Sequence, residues 1–211
     1  MIGKIIAGVL VLSLLLVPGL LPATDQKRDL QIGSKFTYVQ TMGDQTMESV
    51  RTIQKSERIN GHWCWKVEAI SQDTVSYTWS DKDTLGIWKI SQEIYGIAMA
   101  STWGPEPANE ILPIGDRSYD TKMSVEIGGK PIGEMIVAYK ITDKGTETVV
   151  VPAGRFEANH LVIEQTTTIE GDQPTTVTTE IWYSAKVGNM VKETQDLMGT
   201  MITTELKSYK L

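Results

Sequence analysis

Apolar and polar residues alternate in short runs along the chain. A period of two is typical of β-strands, because successive side chains point to opposite faces. Trp63 and Trp65 share one face of such a run, and Tyr77 and Trp79 share one face of the next. Later runs with the same period lie at residues 135–141, 161–169, 177–183 and 202–206. The pattern predicts a chain built mainly from strands.

Turn-forming residue pairs separate these runs. Asn60-Gly61 and Gly128-Gly129 suit the positive φ angles of tight hairpin turns, and Gly171-Asp172 and Gly188-Asn189 mark further turns. The spacing predicts about ten or eleven short strands joined mainly by hairpins. Such a chain forms a curved antiparallel sheet, a barrel or a sandwich. The predicted fold class is all-β.

The residue types agree with this prediction. From Thr24 onward, 55 of 188 residues are Val, Ile or Thr, which are β-branched and pack well on a pleated surface. The run at residues 161–169 is less regular, because Gln165 and Thr167 stand on the same face as its apolar residues. The chain shows no repeat of fixed period and no linker that would mark a second domain.

One segment departs from the strand pattern. Residues 92–101 are the best candidate for a helix, although Gly96 lies inside them. Residues 102–115 include Pro105 and Pro107 and predict a long loop across one end of the sheet. Loops of this length often cover a binding mouth, and we expect the same here.

The first residues have the pattern of a secretory signal peptide. Lys4 precedes an apolar stretch at residues 5–17, which Pro18-Gly19 interrupts. A small residue, Ala23, then stands before the polar part of the chain. We expect residues 1–23 to be a signal peptide that is removed after Ala23.

An uncleaved N-terminal anchor is the alternative. Residues 5–21 form a stretch of 17 residues, which is at the short end of what spans a bilayer. In both cases residues 24–211 form a single exported β-domain, which is periplasmic, on the cell surface or extracellular. Membrane contact is expected only through residues 1–23, and only if they are retained.

Charge and cysteine content exclude several classes of protein. The chain has 20 Lys and Arg against 26 Asp and Glu, a net charge of −6, which argues against a nucleic-acid partner. Its single cysteine, Cys64, rules out an intrachain disulfide and any zinc site built on two cysteines. No cysteine directly follows the apolar stretch, so a lipidated N-terminus is not expected. We interpret Cys64 as a buried apolar residue.

Motifs for catalysis, cofactors and metals are missing from the sequence. There is no GxSxG, HExxH, phosphate-binding loop or GxGxxG after a strand. Residues 81–86 begin like a calcium loop but lack the later oxygen ligands, so we interpret them as a polar turn. His160 and Glu164 are too far apart along a strand to share one metal ion. We expect no enzyme activity, no catalytic residues, no cofactor and no metal site.

Aromatic residues are the most suggestive candidates for a binding site. If the pairing register permits, Trp63, Trp65, Tyr77 and Trp79 lie side by side on two successive strands. Together with Trp103 in the predicted loop, they are the predicted ligand-binding residues for a lipid, an acyl chain or another apolar molecule. The simpler interpretation is that these rings fill the core of a leucine-poor β-protein.

The C-terminal third carries a recognisable pair of motifs. Residues 148–158, TVVVPAGRFEA, and residues 181–193, IWYSAKVGNMVKE, resemble the VPAG-x-F and WY-x-x-x-VG-x-V-K segments of a family of secreted bacterial and archaeal domains of unknown function. The short closing strand at residues 205–209, ELKSY, also matches. This family is similar in fold to the periplasmic lipoprotein carriers of the Lol type. The resemblance implies a strongly curved antiparallel sheet or open barrel with an apolar inner face, and no known reaction.

Two functions follow from these observations. The main hypothesis is an exported non-catalytic domain that binds an apolar ligand, such as a lipid or acyl group, on the concave face of the sheet. The alternative is a protein-interaction module of the cell envelope, without a small-molecule ligand, whose exposed sheet edge pairs with another protein. A hydrolase that uses scattered carboxylates is a remote third option.

Overall fold

Every regular element is a β-strand in the computed structural model, which describes residues 30–72, 74–197 and 199–211. The twelve strands are β1 (Lys35–Met42), β2 (Gln45–Ile59), β3 (His62–Ser71), β4 (Thr74–Asp81), β5 (Ile87–Ile94), β6 (Ile97–Gly104), β7 (Arg117–Ile127), β8 (Lys130–Val151), β9 (Gly154–Thr168), β10 (Thr175–Ser184), β11 (Asn189–Leu197) and β12 (Thr200–Lys210). None of the described residues belongs to a helix able to cross a membrane. The signal peptide or anchor predicted at residues 1–23 lies outside the described residues.

The strands form one closed antiparallel barrel. Each strand pairs with its neighbours in sequence, and β1 also pairs with β12, which closes the ring. The predicted all-β antiparallel fold is confirmed. The barrel is closed rather than open and has twelve strands rather than ten or eleven. Closure depends on the pairing of the two chain ends, which no local pattern reveals.

The helix candidate accounts for part of the difference in strand number. Residues 92–101 contribute to a hairpin of β5 and β6 and contain no helix. Tyr95 and Gly96 form its turn with φ angles of 50° and 77°. Positive φ at two successive residues suits a tight hairpin and ends any helix, so the turn decides the local structure here.

The two ends of the barrel differ in construction. One end carries six hairpin turns, which follow β1, β3, β5, β7, β9 and β11. We call it the hairpin end. The other end carries the first described residues and the connections after β2, β4, β6, β8 and β10, of which the one at residues 105–116 between β6 and β7 is the longest. We call it the loop end.

The long connection closes the loop end. Ala108, Ile111 and Leu112 are buried in the main core. Ala108 forms a β-bridge with Ile87, and the backbone N–H groups of Ile111 and Leu112 donate to the carbonyl of Thr84. The prediction of a loop across one end is confirmed, although β6 runs to residue 104. The loop is a plug that belongs to the core.

Polar contacts fasten this plug to β7. The Arg117 guanidinium donates to the carbonyls of Glu110 and Pro113, and the backbone N–H of Glu110 donates to the Tyr119 hydroxyl at 2.9 Å. The backbone groups of Glu110 and Pro113 lie outside any strand ladder, and these bonds supply their hydrogen-bond partners.

The turn between β8 and β9 contains the VPAG-x-F motif. β8 ends at Val151, immediately before Pro152, as expected for a residue that cannot donate to a ladder. Gly154 has a φ of 128°, which permits the reversal, and Phe156 returns to the core and contacts Tyr209. The backbone N–H of Ala153 donates to Leu206 of β12. The hairpin therefore bends over the loop end.

A single glycine tests how tightly the plug is packed. A Cβ added at Gly86 would lie 2.5 Å from Pro107 Cγ and 3.0 Å from Glu110 Cγ. Gly86→Ala should therefore lower the free energy of unfolding by about 1–3 kcal/mol in a urea titration, because the loop must shift. Gly133→Ala is the matched control, since nothing lies within 4 Å of its added Cβ. Equal effects of the two substitutions would contradict the tight packing.

Candidate functional site

The register between β3 and β4 decides where four of the predicted aromatic residues point. Trp65 is opposite Ser80, and Trp79 is opposite Lys66. Partners across a ladder share a face, and neighbours along a strand do not. Trp65 and Trp79 therefore lie on opposite faces of the sheet. The register brings Trp63 and Trp65 together, and Tyr77 and Trp79 together, but keeps the two pairs apart.

Trp63 and Trp65 lie near the loop end, on the inner face. Trp65 packs against the main core, whereas Trp63 is 52% exposed. The Lys82 ammonium lies 3.6 Å from the centroid of the Trp65 ring and 5.8 Å from that of Trp63, and Arg58 lies 5.0 Å from Trp63. These distances suit cation–π contacts.

Tyr77 and Trp79 lie on the outer face of the barrel. Trp79 packs with Cys64 and Trp88 in a small apolar cluster outside the main core, and Tyr77 borders it. Trp88 reaches this face because the ladder of β4 and β5 is irregular between Trp79 and Ser80. Cys64 is buried in this cluster, and burial raises the pKa of its thiol to about 12. Cys64 is a buried apolar residue, as predicted.

Trp103 belongs to the main core. Its side chain is 2% exposed and points inward near the end of β6, opposite Met123. The predicted binding group is thus divided between the inner face at the loop end, the outer face and the core. The assignment of these five residues to ligand binding stays a prediction.

His160 and Glu164, which sequence analysis rejected as a shared metal site, have separate contacts. Glu164 accepts from Lys140 at 2.7 Å. The His160 ring stacks on Trp182 with centroids 4.3 Å apart and contacts Glu180 and Glu147 at 2.9 and 3.3 Å. Within the described part of the chain, no three ligand-type side chains are grouped for a metal ion.

The interior contains a set of polar side chains that sequence analysis did not predict as a site. They point inward because they share faces with core residues along each strand or across each ladder. We call this set the polar layer: Gln40, Ser49, Arg51, Ser76, Thr78, Gln92, Ser101, Gln165, Thr179, Glu193, Gln195 and Thr204. It lies on the hairpin-end side of the apolar core.

Two charged residues of this layer are deeply buried. The Arg51 guanidinium lies 4.4 Å from the centroid of the Tyr38 ring, and the Tyr38 hydroxyl donates to the carbonyl of Met190 at 3.0 Å. Burial raises the pKa of the Glu193 carboxyl to about 7, and the positive charge of Arg51 opposes this shift. The interior therefore holds one basic and one acidic group whose charges offset each other near neutral pH when both are ionised.

Several buried atoms of the polar layer have no protein partner. Ser76 Oγ, Thr78 Oγ1 and Gln195 Oε1 form no hydrogen bond within the described residues. The other end of the Gln195 amide donates to Thr179 Oγ1 at 3.0 Å, which orients the side chain. Buried polar groups are nearly always hydrogen-bonded in folded proteins. These atoms, on β4 and β11, have almost no accessible surface, so the protein itself encloses them.

An apolar rim surrounds the polar layer at the hairpin end. Its members point inward and are nevertheless partly exposed: Met42, Met47, Met99, Ile127, Val177 and Leu197. They stand toward the hairpin-end termini of their strands, and we call the place that they surround the mouth. Gln40 and Thr179 are also partly exposed, so the mouth reaches the polar layer. We call these six residues the rim.

Comparisons with known proteins were made for the whole chain. No family model and no curated protein sequence matches it. Similar solved structures include a candidate lipoprotein from Parabacteroides distasonis, 13% identical, with a TM-score of 0.53 over 85% of this chain and 96% of its own. The hypothetical lipoprotein YmcC from Escherichia coli is 11% identical, with a TM-score of 0.52 over 83% of this chain and 84% of its own. A candidate exported protein from Bacteroides fragilis with a YmcC-like fold is 14% identical, with a TM-score of 0.45 over 92% and 99%.

The first two of these structures establish a likeness of fold. At 13% and 11% identity this likeness concerns the fold alone. Membership of the secreted family with the VPAG-x-F motif, and likeness to Lol-type carriers, stay predictions. The chain therefore has an all-β barrel fold similar to that of the hypothetical lipoprotein YmcC.

Proposed function

We propose that the protein is an exported, non-catalytic binding domain that holds an apolar ligand, such as a lipid or an acyl group, inside the hairpin end of the barrel. The observation that carries this proposal is the rim. Six apolar side chains point into a closed barrel and still keep exposed surface there. Covering such surface with an apolar ligand is favourable by about 25 cal/mol per Å².

The chemistry of the rim suits a flexible chain. Three of its six members, Met42, Met47 and Met99, are methionines. Methionine is unbranched and polarisable, so it adapts to ligands of different shape. The predicted loop cover does not contribute to this mouth, because residues 105–116 plug the opposite end. The concave surface of the original hypothesis thus becomes the inner wall of a closed barrel.

Export rests on two independent features. The apolar stretch at residues 5–17 has the pattern of a secretory signal. The structures of similar fold include a candidate lipoprotein and a hypothetical lipoprotein, and lipoproteins are exported proteins. The lipid anchor is not transferred to this chain, since its single cysteine, Cys64, is buried in β3.

The protein-interaction alternative loses its original basis. It required an exposed sheet edge, and every described strand pairs with two neighbours in a closed ring. An envelope partner would have to dock on the outer face. Ile70 and Val75 are directly opposite each other there and are partly exposed, so they are the place to look for such a contact.

The proposal predicts a bound lipid-sized molecule. The chain, exported into a bacterial periplasm and purified without detergent, should carry such a mass in native mass spectrometry, and solvent extraction should recover it. Met47→Glu should reduce the occupied fraction about tenfold, because the ligand would then cover a charge. Met201→Glu is the matched control, since Met201 lies on the outer face and is exposed.

Two results would contradict the proposal. One is an apo mass for the wild-type protein together with no lipid in the extract, which would favour the interaction module. The other is an equal loss of occupancy in both methionine variants, which would place the ligand outside the rim.

A further inference from the structure

We propose that the tip of the β5–β6 hairpin docks the barrel on the surface of a zwitterionic phospholipid bilayer. The tip is residues 94–97, which lie at the hairpin end beside the mouth. The inference goes beyond the proposed function, which concerns the interior, and it adds a membrane contact to the one expected only for residues 1–23. Docking at this place sets the mouth against a source of apolar ligand.

The tip projects from the strands that flank it. On the β4 side, the outermost ladder pair in the described part of the chain is Ser76 with Gln92. On the β7 side it is Met99 with Ile127. Residues 94–97 lie outside both pairs, and among the described residues they form ladder pairs only within their own hairpin. The tip therefore reaches a flat surface without being covered by the neighbouring strands.

Folding of the hairpin does not account for Tyr95, which stands in its turn. The Tyr95 side chain is 101% exposed, and its backbone has a φ of 50°. The following Gly96 has a φ of 77°, and a two-residue turn with two positive φ angles favours Asn-Gly or Asp-Gly. A bulky residue in this conformation is unfavourable, and full exposure gives it no packing in return. An unfavourable and fully exposed aromatic residue points to a role outside the fold.

The apolar surface of the tip continues that of the rim. Ile97 is 51% exposed and stands two positions outside Met99 of the rim, on the same face of β6. Ile94 is opposite Ile97 in the ladder, so its side chain lies on that face as well. Tyrosine combines an apolar ring with a polar hydroxyl and is favoured at the membrane–water interface, while isoleucine suits the hydrocarbon beneath it. The tip thus has the residue types of an interfacial anchor.

The size of the tip favours a bilayer over a protein partner. A stable protein interface buries about 800 Å² on each partner and uses roughly 20–30 residues a side. The four residues of the tip supply only a small part of such an area. A bilayer needs no matching surface, because each apolar side chain that leaves water contributes by itself.

Charge selects the kind of bilayer. Residues 94–97 are uncharged, and exposed carboxylates surround them at the hairpin end. These carboxylates belong to Glu93, to the turn after β1 and to the turn after β9: Asp44, Glu170 and Asp172. An anionic bilayer repels them, whereas the ammonium groups of zwitterionic phospholipids attract them. The hairpin end therefore matches a zwitterionic surface.

Partition onto lipid vesicles tests the inference. The chain is exported and purified without detergent, because a chain held in a membrane by residues 1–23 does not enter this preparation. We expect it to float with phosphatidylcholine vesicles and to bind phosphatidylglycerol vesicles at least about threefold more weakly at low ionic strength. Tyr95→Asn/Ile97→Ser should weaken partition onto phosphatidylcholine at least about tenfold, because two apolar side chains no longer contribute.

Two controls separate docking from non-specific adsorption and from misfolding. Val150→Ser removes an apolar side chain that is 64% exposed at the loop end, and should change partition by less than about twofold. Tyr95→Asn alone creates an Asn-Gly turn, so it should keep at least the wild-type midpoint of urea unfolding while it weakens partition.

Several results would overturn the inference. They are the absence of wild-type partition onto phosphatidylcholine, tighter binding to phosphatidylglycerol, and equal losses in the tip and loop-end variants. A dimer in sedimentation analysis that Tyr95→Asn dissociates would also overturn it, since the tip would then contact a second copy of the chain. A lipid-sized mass bound in the interior does not depend on these results, so this inference and the proposed function fail separately.

Discussion

Replacing Trp103 by alanine should lower the free energy of unfolding by about 3–5 kcal/mol, the range for a large aromatic residue removed from a packed core. Trp103 is 2% exposed and packs in the main cluster beneath the plugged end of the barrel. Its removal leaves a cavity that a closed barrel can fill only partly by relaxation. Chemical denaturation followed by circular dichroism measures the change.

Trp63→Ala is the matched control for this substitution. Trp63 is 52% exposed, so its loss should lower the free energy of unfolding by about 1 kcal/mol or less. Similar destabilisation by the two substitutions would contradict the placement of Trp103 in the core. Trp79→Ala adds a functional readout, since an outer-face position should leave an interior ligand bound. Loss of that ligand in a folded Trp79→Ala protein would restore Trp79 as a binding residue.

The stability of the barrel should fall as the pH rises from about 4.5 to about 7, with Glu193 as the cause. Burial raises the pKa of this carboxyl from 4.5 to about 7 in the folded protein. Between these two values the folded chain keeps a proton that the unfolded chain has released, so raising the pH favours unfolding. The loss amounts to roughly 3 kcal/mol across this window and levels off above it.

Glu193→Gln should remove this pH dependence, because the amide does not titrate. The measurement is the free energy of unfolding from urea titrations at several pH values between 4.5 and 8. Arg51 and Tyr38 also face Glu193: burial lowers the pKa of Arg51 and raises the pKa of Tyr38, so the comparison with Glu193→Gln is what assigns the slope to Glu193. Glu205→Gln, on the outer face of β12, is the control and should leave the slope unchanged. The same slope in wild type and Glu193→Gln would assign the effect to other groups.

The candidate site shows how far the sequence pattern reaches. Gln165 and Thr167 stand on the apolar face of the run at residues 161–169, and this irregularity was the one visible sign of the polar layer. Met42 and Met47 flank a hairpin turn, where apolar residues are unexpected, and they are part of the rim. Neither sign identifies a site alone, because polar residues on an apolar face and apolar residues beside a turn also occur at strand ends that bind nothing.

The aromatic residues show where prediction from the sequence fails. Their positions on strands were predictable, but the group of Trp63, Trp65, Tyr77 and Trp79 depended on the register of β3 against β4. A register difference of one residue exchanges the faces of a whole strand. The irregularity beside Trp79 then moves Trp88 to the outer face as well. Register arises from the pairing of two strands, so the sequence of one strand does not determine it.

The sequence by itself determined most of the secondary structure of this protein, the helix candidate at residues 92–101 excepted. Strand residues, hairpin turns and the turn at Gly154 all follow from side-chain alternation, β-branching and positive φ angles, which act over a few residues. Only the tertiary structure decided that the sheet closes, that the loop plugs one end, and that a partly exposed apolar rim stands at the other end outside a buried polar layer. These features depend on contacts between distant segments, such as β1 with β12, whose free energy is set by packing in three dimensions.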